Sequence, residues 1–424
     1  MEVVLIILKV YLVVLAFIML VYTIRHFVFT MNRLLSEQRM YYQDILDTEL
    51  PFVSVLVPMH NEEQVAAQCL EQLLKADYDR NRYEIIPIND HSTDHTKEII
   101  NSYAAKYPIV KPIHRTAERE RGKPVALNHG MRFANGEIIV VFDADYLPPK
   151  GILKEIAISF KDPHVGAVMG RVVPINTEKK FLTRLLDLER TGGYQVDQQA
   201  RYNLKLLPQY GGTVGGFRKK EVLALGGFDR NVLAEDTDLT FRLALNGYKV
   251  VYANRVECYE EVPEEWAIRA RQIRRWSQGH NTVFFKQFFP MLASKHLTLR
   301  EKIDGVLLLA IYAIPMILLL GLMDSLVLFF LGEMELLSNT LVLLMLGAYN
   351  TFGNFAPFFQ VGTGCLLDGA NKRILLIPFL LFSFFFNTWH ISRGFIDAII
   401  GSVSGKKKKW IKTKRFRQKE GKTK

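Results

Sequence analysis

Three acidic clusters have the residue types and spacing to do chemistry. They are Asn89-Asp90-His91-Ser92-Thr93-Asp94, Asp143-Ala144-Asp145 and Glu235-Asp236-Thr237-Asp238. Aspartates two apart face the same way on an extended backbone, which suits a hard divalent cation. Mg2+ takes one or two carboxylates and completes its shell with water and substrate phosphates. A diphosphate leaving group is therefore a natural ligand, and the metal would offset charge developing on it. A carboxylate away from the metal is free to act as a general base, and Asp236 is the candidate. Any one cluster reads equally well as a helix N-cap. Three in one domain, each beside an apolar run, make that coincidence harder to sustain. A fourth element is Gln272-Ile273-Arg274-Arg275-Trp276. Arg275 can hold a diphosphate bidentately, and the face of Trp276 can stack on a sugar ring. Taken alone, that pair reads more simply as Trp and Arg at the membrane headgroup level.

The elements that must position these residues are legible from periodicity. Phe52–Pro58, Tyr83–Asn89, Glu137–Phe142 and Val165–Gly170 are strand-like. Helical spacing falls between them at 62–75, 94–106, 123–134 and 149–160. That alternation predicts βαβ units and a mainly parallel sheet. Asp90 and Asp143 then follow strand ends, where ligands bind in open α/β sheets, and Glu235-Asp236 opens a helix ended by Gly247.

Composition bounds the rest. Of 424 residues, 49% are hydrophobic, which excludes a disordered chain. Cys69, Cys258 and Cys365 show neither disulfide-framework nor zinc spacing. The formal net charge of +11 is uneven: residues 406–424 carry +10, so the remainder is nearly neutral. A basic tail beside a membrane segment reads as an anionic-lipid contact rather than a nucleic-acid site. Residues 3–24 are long and apolar enough to cross a bilayer core of about 30 Å. Their basic flank, Arg25, His26, Arg33 and Arg39, puts that side in the cytoplasm. The expected layout is an anchor at 1–26, a catalytic domain at 51–283, an interfacial amphipathic helix at 284–302, a membrane region at 303–401 and a basic cytoplasmic tail at 402–424. Spans are expected at Val306–Leu331 and Leu336–Phe359, whereas 374–386 reads as re-entrant or interfacial. A cytoplasmic domain and tail need an even number of crossings between them. Asp324 falls inside an apolar run, where a charge is costly, and Lys9 is a candidate partner.

With D, DxD, ED and QxxRW in this order, segment 52–283 resembles the membrane-embedded family 2 glycosyltransferases, the cellulose, hyaluronan and poly-N-acetylglucosamine synthases. QxxRW followed by membrane helices is the most specific part. The resemblance implies a glycosyltransferase-A-type α/β fold with a mainly parallel sheet, set between transmembrane helices. It implies that Pro58 and Glu62 line the nucleoside, Asp90 contacts the base, and Lys123 lines the nucleotide pocket. Asp143 would support the ribose side, Asp145 would bind Mg2+ or Mn2+, and Arg275 would hold the diphosphate. Asp236 would be the catalytic base. Gly212, Thr213, Glu235, Gln272 and Trp276 would face the acceptor. His91 stands where the family commonly has glycine. One base and no second carboxylate nucleophile imply a single in-line displacement with inversion.

The implied partners are a nucleotide-sugar donor, a glycan or lipid acceptor and membrane lipids, with no nucleic acid. UDP-glucose and UDP-N-acetylglucosamine both fit as donors, and GDP-mannose stays open. The first functional expectation is a synthase of a β-linked extracellular polysaccharide. The alternative is a non-processive glycolipid synthase, and a third is a sugar-nucleotide-binding protein without turnover. Only about 20 residues follow the membrane region, so control by a second messenger would require an accessory or regulatory subunit.

Overall fold

The computed structural model describes residues 2–42, 49–117, 120–333 and 340–404. The basic tail from residue 405 onward lies outside the described residues. The chain opens with one long helix, α1 (Glu2–Leu35). An alternating segment follows: β1 (Val53–Met59), α2 (Ala66–Leu74), β2 (Tyr83–Asp90), α3 (Thr96–Lys106), β3 (Ile113–Arg115), α4 (Lys123–Phe133), β4 (Ile138–Val141), α5 (Ile152–Ile158) and β5 (Val165–Pro174). Next come α6 (Phe181–Thr191), a π-helical turn (Gly192–Gln198), α7 (Gln199–Asn203), β6 (Gly215–Arg218), α8 (Lys219–Ala224), α9 (Glu235–Leu245) and β7 (Lys249–Glu260). The C-terminal part is helical: α10 (Trp266–Ala293), α11 (Leu299–Ala310), α12 (Ile314–Phe330), α13 (Thr340–Ala348), α14 (Ala356–Leu367), a 3-10 stretch (Asn371–Phe379) and α15 (Leu380–Ser404).

The seven strands form one sheet in the order β3-β2-β1-β4-β6-β5-β7. Every neighbouring pair is parallel except those made by β6, which runs antiparallel to β4 and β5. The apolar runs that predicted strands are continuous rather than alternating because both sheet faces are covered. Val55, Leu56, Ile85, Ile88, Val140 and Val168 are fully buried. With order reversing at β1, the strand ends carry Asp90 and the Asp143 turn toward one crevice. The mainly parallel sheet agrees with the sequence expectation.

The helical part differs from expectation in four places. At 336–359, α13, a π-helical turn (Tyr349–Gly353) and the start of α14 replace a single span, and 334–339 lie outside the described residues. No break occurs at residue 283, since α10 runs unbroken from Trp266 to Ala293 and carries both the Gln272–Trp276 segment and the aromatic-lysine stretch. The single span expected at 306–331 is two helices, α11 and α12, bent by 70° at residues 311–313. Residues 371–404 form a helical unit of 34 residues, long and apolar enough to cross a membrane, in place of a short re-entrant run. Trp389 and His390 fall inside α15, and Asp397 further along makes a bidentate pair with Arg274 at 2.6 and 2.9 Å. The helix comprising Glu2–Leu35 also meets the membrane-length criterion. Lys9 pairs with Glu333 at 2.7 Å rather than with Asp324, whose carboxylate has no hydrogen-bond partner among the described residues.

One buried charge cluster fastens α1 to everything else. Arg25 on α1 donates to Asp197 of the π-helical turn at 2.7 Å and to Asp304 of α11 at 3.1 Å. Arg201 on α7 donates to Asp304 and lies 3.3 Å from Asp197. Phe29 lies under both guanidiniums, at 4.3 and 5.5 Å. All four charges are compensated, which buried ions require. Asp304→Ala strips a carboxylate from two buried guanidiniums. It should cost about 3–5 kcal/mol, read as a lower midpoint for heat-induced loss of the folded peak in detergent.

Candidate active site

Helix α9 begins with three acids in its first turn, where the helix dipole favours negative charge. Its N-cap is Ala234, which makes no side-chain cap bond. Asp236 Oδ1 accepts the Thr237 N–H at 2.7 Å, which fixes the carboxylate's orientation. Asp238, fully buried, accepts from Arg242, Lys286 and Gln287 at 2.7–2.9 Å. Lys286 and Gln287 lie on α10, so Asp238 ties the helix that carries Asp236 to the helix that carries Arg275.

The Asp143-Ala144-Asp145 segment is a turn beyond β4, closed by Tyr146 N–H to the Asp143 carbonyl at 3.1 Å, not the extended pair expected. Thr213 Oγ1 accepts the Asp143 N–H at 3.2 Å, joining the Gly212-Thr213 loop to the turn. Lys123, on the first residue of α4, lies 2.6 Å from Asp143 Oδ1. Burial pulls the Lys123 amine down, but the charges of Asp143, Glu235 and Asp236 outweigh it and hold the amine above its ordinary value. Burial and the adjacent Asp236 charge push Glu235 upward, against the pull of Lys123 and Arg275. Burial lowers the Arg275 guanidinium, while Glu235, Asp236 and Asp143 act to raise it. Lys123, Asp143, Glu235, Asp236 and Arg275 therefore share one electrostatic environment at the strand ends. Asp145 is buried in the same turn.

Asp90 is held more tightly than its sequence position suggested. Its Oδ1 accepts from Arg115 at 2.6 Å and lies 2.8 Å from His91 Nδ1, and its Oδ2 accepts the Gly122 N–H at 2.8 Å. His91 adopts φ +60, the left-handed conformation glycine takes without strain. The turn shape is thus kept while the side chain closes onto Asp90. Glu62 is buried after β1, its N–H donating to Thr96 at 2.8 Å. Pro58 lies on β1 opposite Ile88. Asp94 does serve the start of α3, accepting the Thr96 N–H at 3.0 Å, so for that residue the capping reading is the right one.

On α10, Trp276 lies beneath two guanidiniums, Arg190 at 5.3 Å and Arg269 at 5.4 Å. Arg269 donates to Gln272 at 3.0 Å and to Glu189 at 2.6 Å. Arg190 pairs with Glu260 at 2.7 Å, and Glu260 accepts from Tyr146 beside Asp145 at 2.7 Å. Sequence reading missed both arginines. The spacing of Arg269, Gln272 and Trp276 (i, i+3, i+7) marks one helix face and carried the signal for Arg269. Arg190 comes from another element and carried none.

Among the described residues no three His, Cys, Asp or Glu side chains form a self-sufficient metal cage. The donor set still fits a divalent ion of the Mg2+ type, which needs only one or two carboxylates when phosphates complete its shell.

Gly212 has φ +72, and a Cβ there would stand 3.1 Å from Asp236 Cβ and Oδ2. Gly212→Ala should move the Asp236 carboxylate and lower sugar transfer at least 10-fold, a strain of about 1–3 kcal/mol. Nucleotide affinity measured by calorimetry should stay within about 2-fold, because Gly212 lies on the Asp236 side.

Residues 54–222 match the family model of Glycosyl transferase family 2. The probable glycosyltransferase YdaM of Bacillus subtilis (strain 168) is 37% identical over 248 residues, covering 57% of this chain and 59% of that protein. The beta-monoglucosyldiacylglycerol synthase of Nostoc sp. (strain PCC 7120) is 31% identical over 282 residues, covering 65% of this chain and 58% of that protein. The matched part is thus less than two thirds of these relatives' own length. Among solved structures, the mannosyltransferase PcManGT from Pyrobaculum calidifontis, in complex with GDP-Man and Mn2+, superposes with a TM-score of 0.57 at 22% identity. It covers 88% of this chain and 98% of that one, which establishes a shared glycosyltransferase-A-like fold. The parallel sheet and the acids near its strand ends accompany that match, and residues 54–222 are similar to the glycosyl transferase family 2 domain.

Proposed function

We propose that the protein transfers a sugar from a nucleotide-sugar donor to a membrane lipid, with inversion at the anomeric carbon. One observation carries the lipid reading. Helix α10, which bears Arg275 and Trp276, packs lengthwise on the membrane-length helix α15. Gly394 of α15 lies so close that a Cβ would stand 2.5 Å from the Arg274 carbonyl. Ser277 donates to the Ile391 carbonyl at 2.7 Å. The Trp276 side of the crevice therefore abuts the membrane part of the chain, and an acceptor held in the bilayer surface has a short path to Asp236. The name of the Nostoc relative, a beta-monoglucosyldiacylglycerol synthase, supports the same reading. The small number of membrane-length helices supports it too, since no long channel is required.

In the mechanism, Asp90 receives the base, with Pro58 and Glu62 beside the nucleoside and Lys123 along the nucleotide. Asp143 supports the ribose side, and Arg275 holds the diphosphate by a charge-assisted fork. Asp145 would hold Mg2+ or Mn2+, which when bound neutralises charge on the leaving diphosphate. The Mn2+ and GDP-Man of PcManGT support a metal and a nucleotide-sugar donor. UDP-glucose and UDP-N-acetylglucosamine are the first donors to test. Asp236 takes the proton of the acceptor hydroxyl as its oxygen attacks the anomeric carbon. Glu235, Gly212, Thr213, Gln272 and Trp276 shape the acceptor side. The domain lies on the cytoplasmic face of the cell membrane, the side marked by the basic flank of α1.

The test is purified full-length protein in lipid micelles, supplied with labelled nucleotide sugars, Mg2+ or Mn2+, and diacylglycerol. A discrete labelled lipid is expected, and a long polymer would support the processive polysaccharide reading instead. Asp236→Asn should lower transfer by at least about 1,000-fold, within the usual range for a lost general base. It should leave nucleoside diphosphate binding largely intact.

A further inference from the structure

One turn beyond Trp276, α10 presents His280, which the roles above leave unused. Its Nδ1 lies 3.1 Å from Thr237 Oγ1, on the residue next to Asp236. Gln209 donates to the same hydroxyl at 2.7 Å. The Thr237 hydrogen can go to His280 at 3.1 Å or to Asp236 Oδ1 at 3.4 Å, and the shorter contact is to the imidazole. With the hydroxyl hydrogen on the shorter contact, Nδ1 accepts and the ring proton sits on Nε2. Among the described residues, the ring's one hydrogen bond is made through Nδ1, leaving Nε2–H for a ligand.

The ring's plane is fixed from the membrane side. His280 stacks on Tyr312 with centroids 4.4 Å apart and planes 13° from parallel. Tyr312 stands in the break between α11 and α12, where those helices bend by 70°. Asn281 holds the break in place by donating to the Tyr312 carbonyl at 3.2 Å. The bend therefore places an aromatic ring beside the candidate base. Burial keeps the imidazole neutral, pushed down to about 4 against the pull of the Asp236 charge. A neutral N–H beside a carboxylate suits a hydroxyl, which accepts the N–H at oxygen and gives its own hydrogen to the carboxylate. An imidazolium would instead pair with the carboxylate and quench it.

We propose that His280 is an acceptor-binding residue whose Nε2–H holds a hydroxyl oxygen of the acceptor beside Asp236, with Tyr312 as the positioning residue that sets its plane. The proposal rests on the reading of Asp236 as the base, and deepens it by defining a binding site for a hydroxyl-bearing headgroup. The test uses the full-length protein in mixed micelles with UDP-glucose and dioleoylglycerol. His280→Ala should raise the acceptor KM about 10-fold, the loss of one hydrogen bond in a dry site, with the donor KM unchanged. His280→Gln puts an amide N–H where Nε2–H stood and should recover most of that loss. His280→Asn reaches only the Nδ1 position and should not. Tyr312→Leu should raise the acceptor KM in the same direction. An unchanged acceptor KM in His280→Ala, or equal recovery by Gln and Asn, overturns the inference while leaving the base assignment standing. Normal turnover in Asp236→Asn overturns the base assignment and this inference with it.

Discussion

Like charge crowded into a buried crevice is the constraint around which this molecule is built. Glu235 and Asp236 are consecutive on one helix turn, and Asp143 faces them across the strand ends. Two carboxylates in a dry site raise each other's proton affinity, as the upward push on Glu235 records. Lys123 and Arg275 supply the compensating charge from α4 and α10. Neither cation is local in sequence to the acids it serves. The site therefore exists only when the sheet, α4, α9 and α10 are assembled together, and Asp238 with Lys286 and Gln287 fixes the last of these contacts.

Helix α10 links that crevice to the membrane. One face presents Gln272, Arg275 and Trp276, and another lies on α15 through Arg274–Asp397 and the close approach at Gly394. At the other end of the chain, Arg25 reaches Asp197 and Asp304 and so binds α1 to the π-helical turn and to α11. That turn carries Tyr194, which feels the Asp236 charge. The N-terminal and C-terminal helices thus meet the rest of the chain through ion pairs, buried at Arg25 and part-exposed at Arg274, as well as through apolar contact. Breaking the buried pairs at Arg25 is costly, because it leaves an uncompensated charge.

The sequence made the sheet legible because its strands are short apolar runs bounded by turn residues, and their ends carry the acids. Asp90 and Asp143 stand out for that reason, and Asp236 because it opens a helix that Gly247 ends. The fate of each acid could not. Asp94 serves the start of α3, whereas Asp90 is locked by Arg115, a partner 25 positions away that nothing in the pattern singles out. The membrane part was read less well. Hydropathy cannot see the 70° break between α11 and α12, because Ile311 and Ala313 are as apolar as the helices they separate. Nor could it see that Asp397 pairs with Arg274 on a 34-residue helical unit where a short run had been expected. Lys9 and Asp324 were an attractive pair by charge, yet Glu333 takes the lysine.

The central claim is that one carboxylate, Asp236, deprotonates an acceptor that attacks the sugar directly, without a covalent sugar–enzyme intermediate. The anomeric configuration of the product tests this most directly. Nuclear magnetic resonance of the glycolipid made from UDP-α-D-glucose should show a β-linked glucose. An α-linked product would contradict the single displacement and require a different arrangement of nucleophile and base.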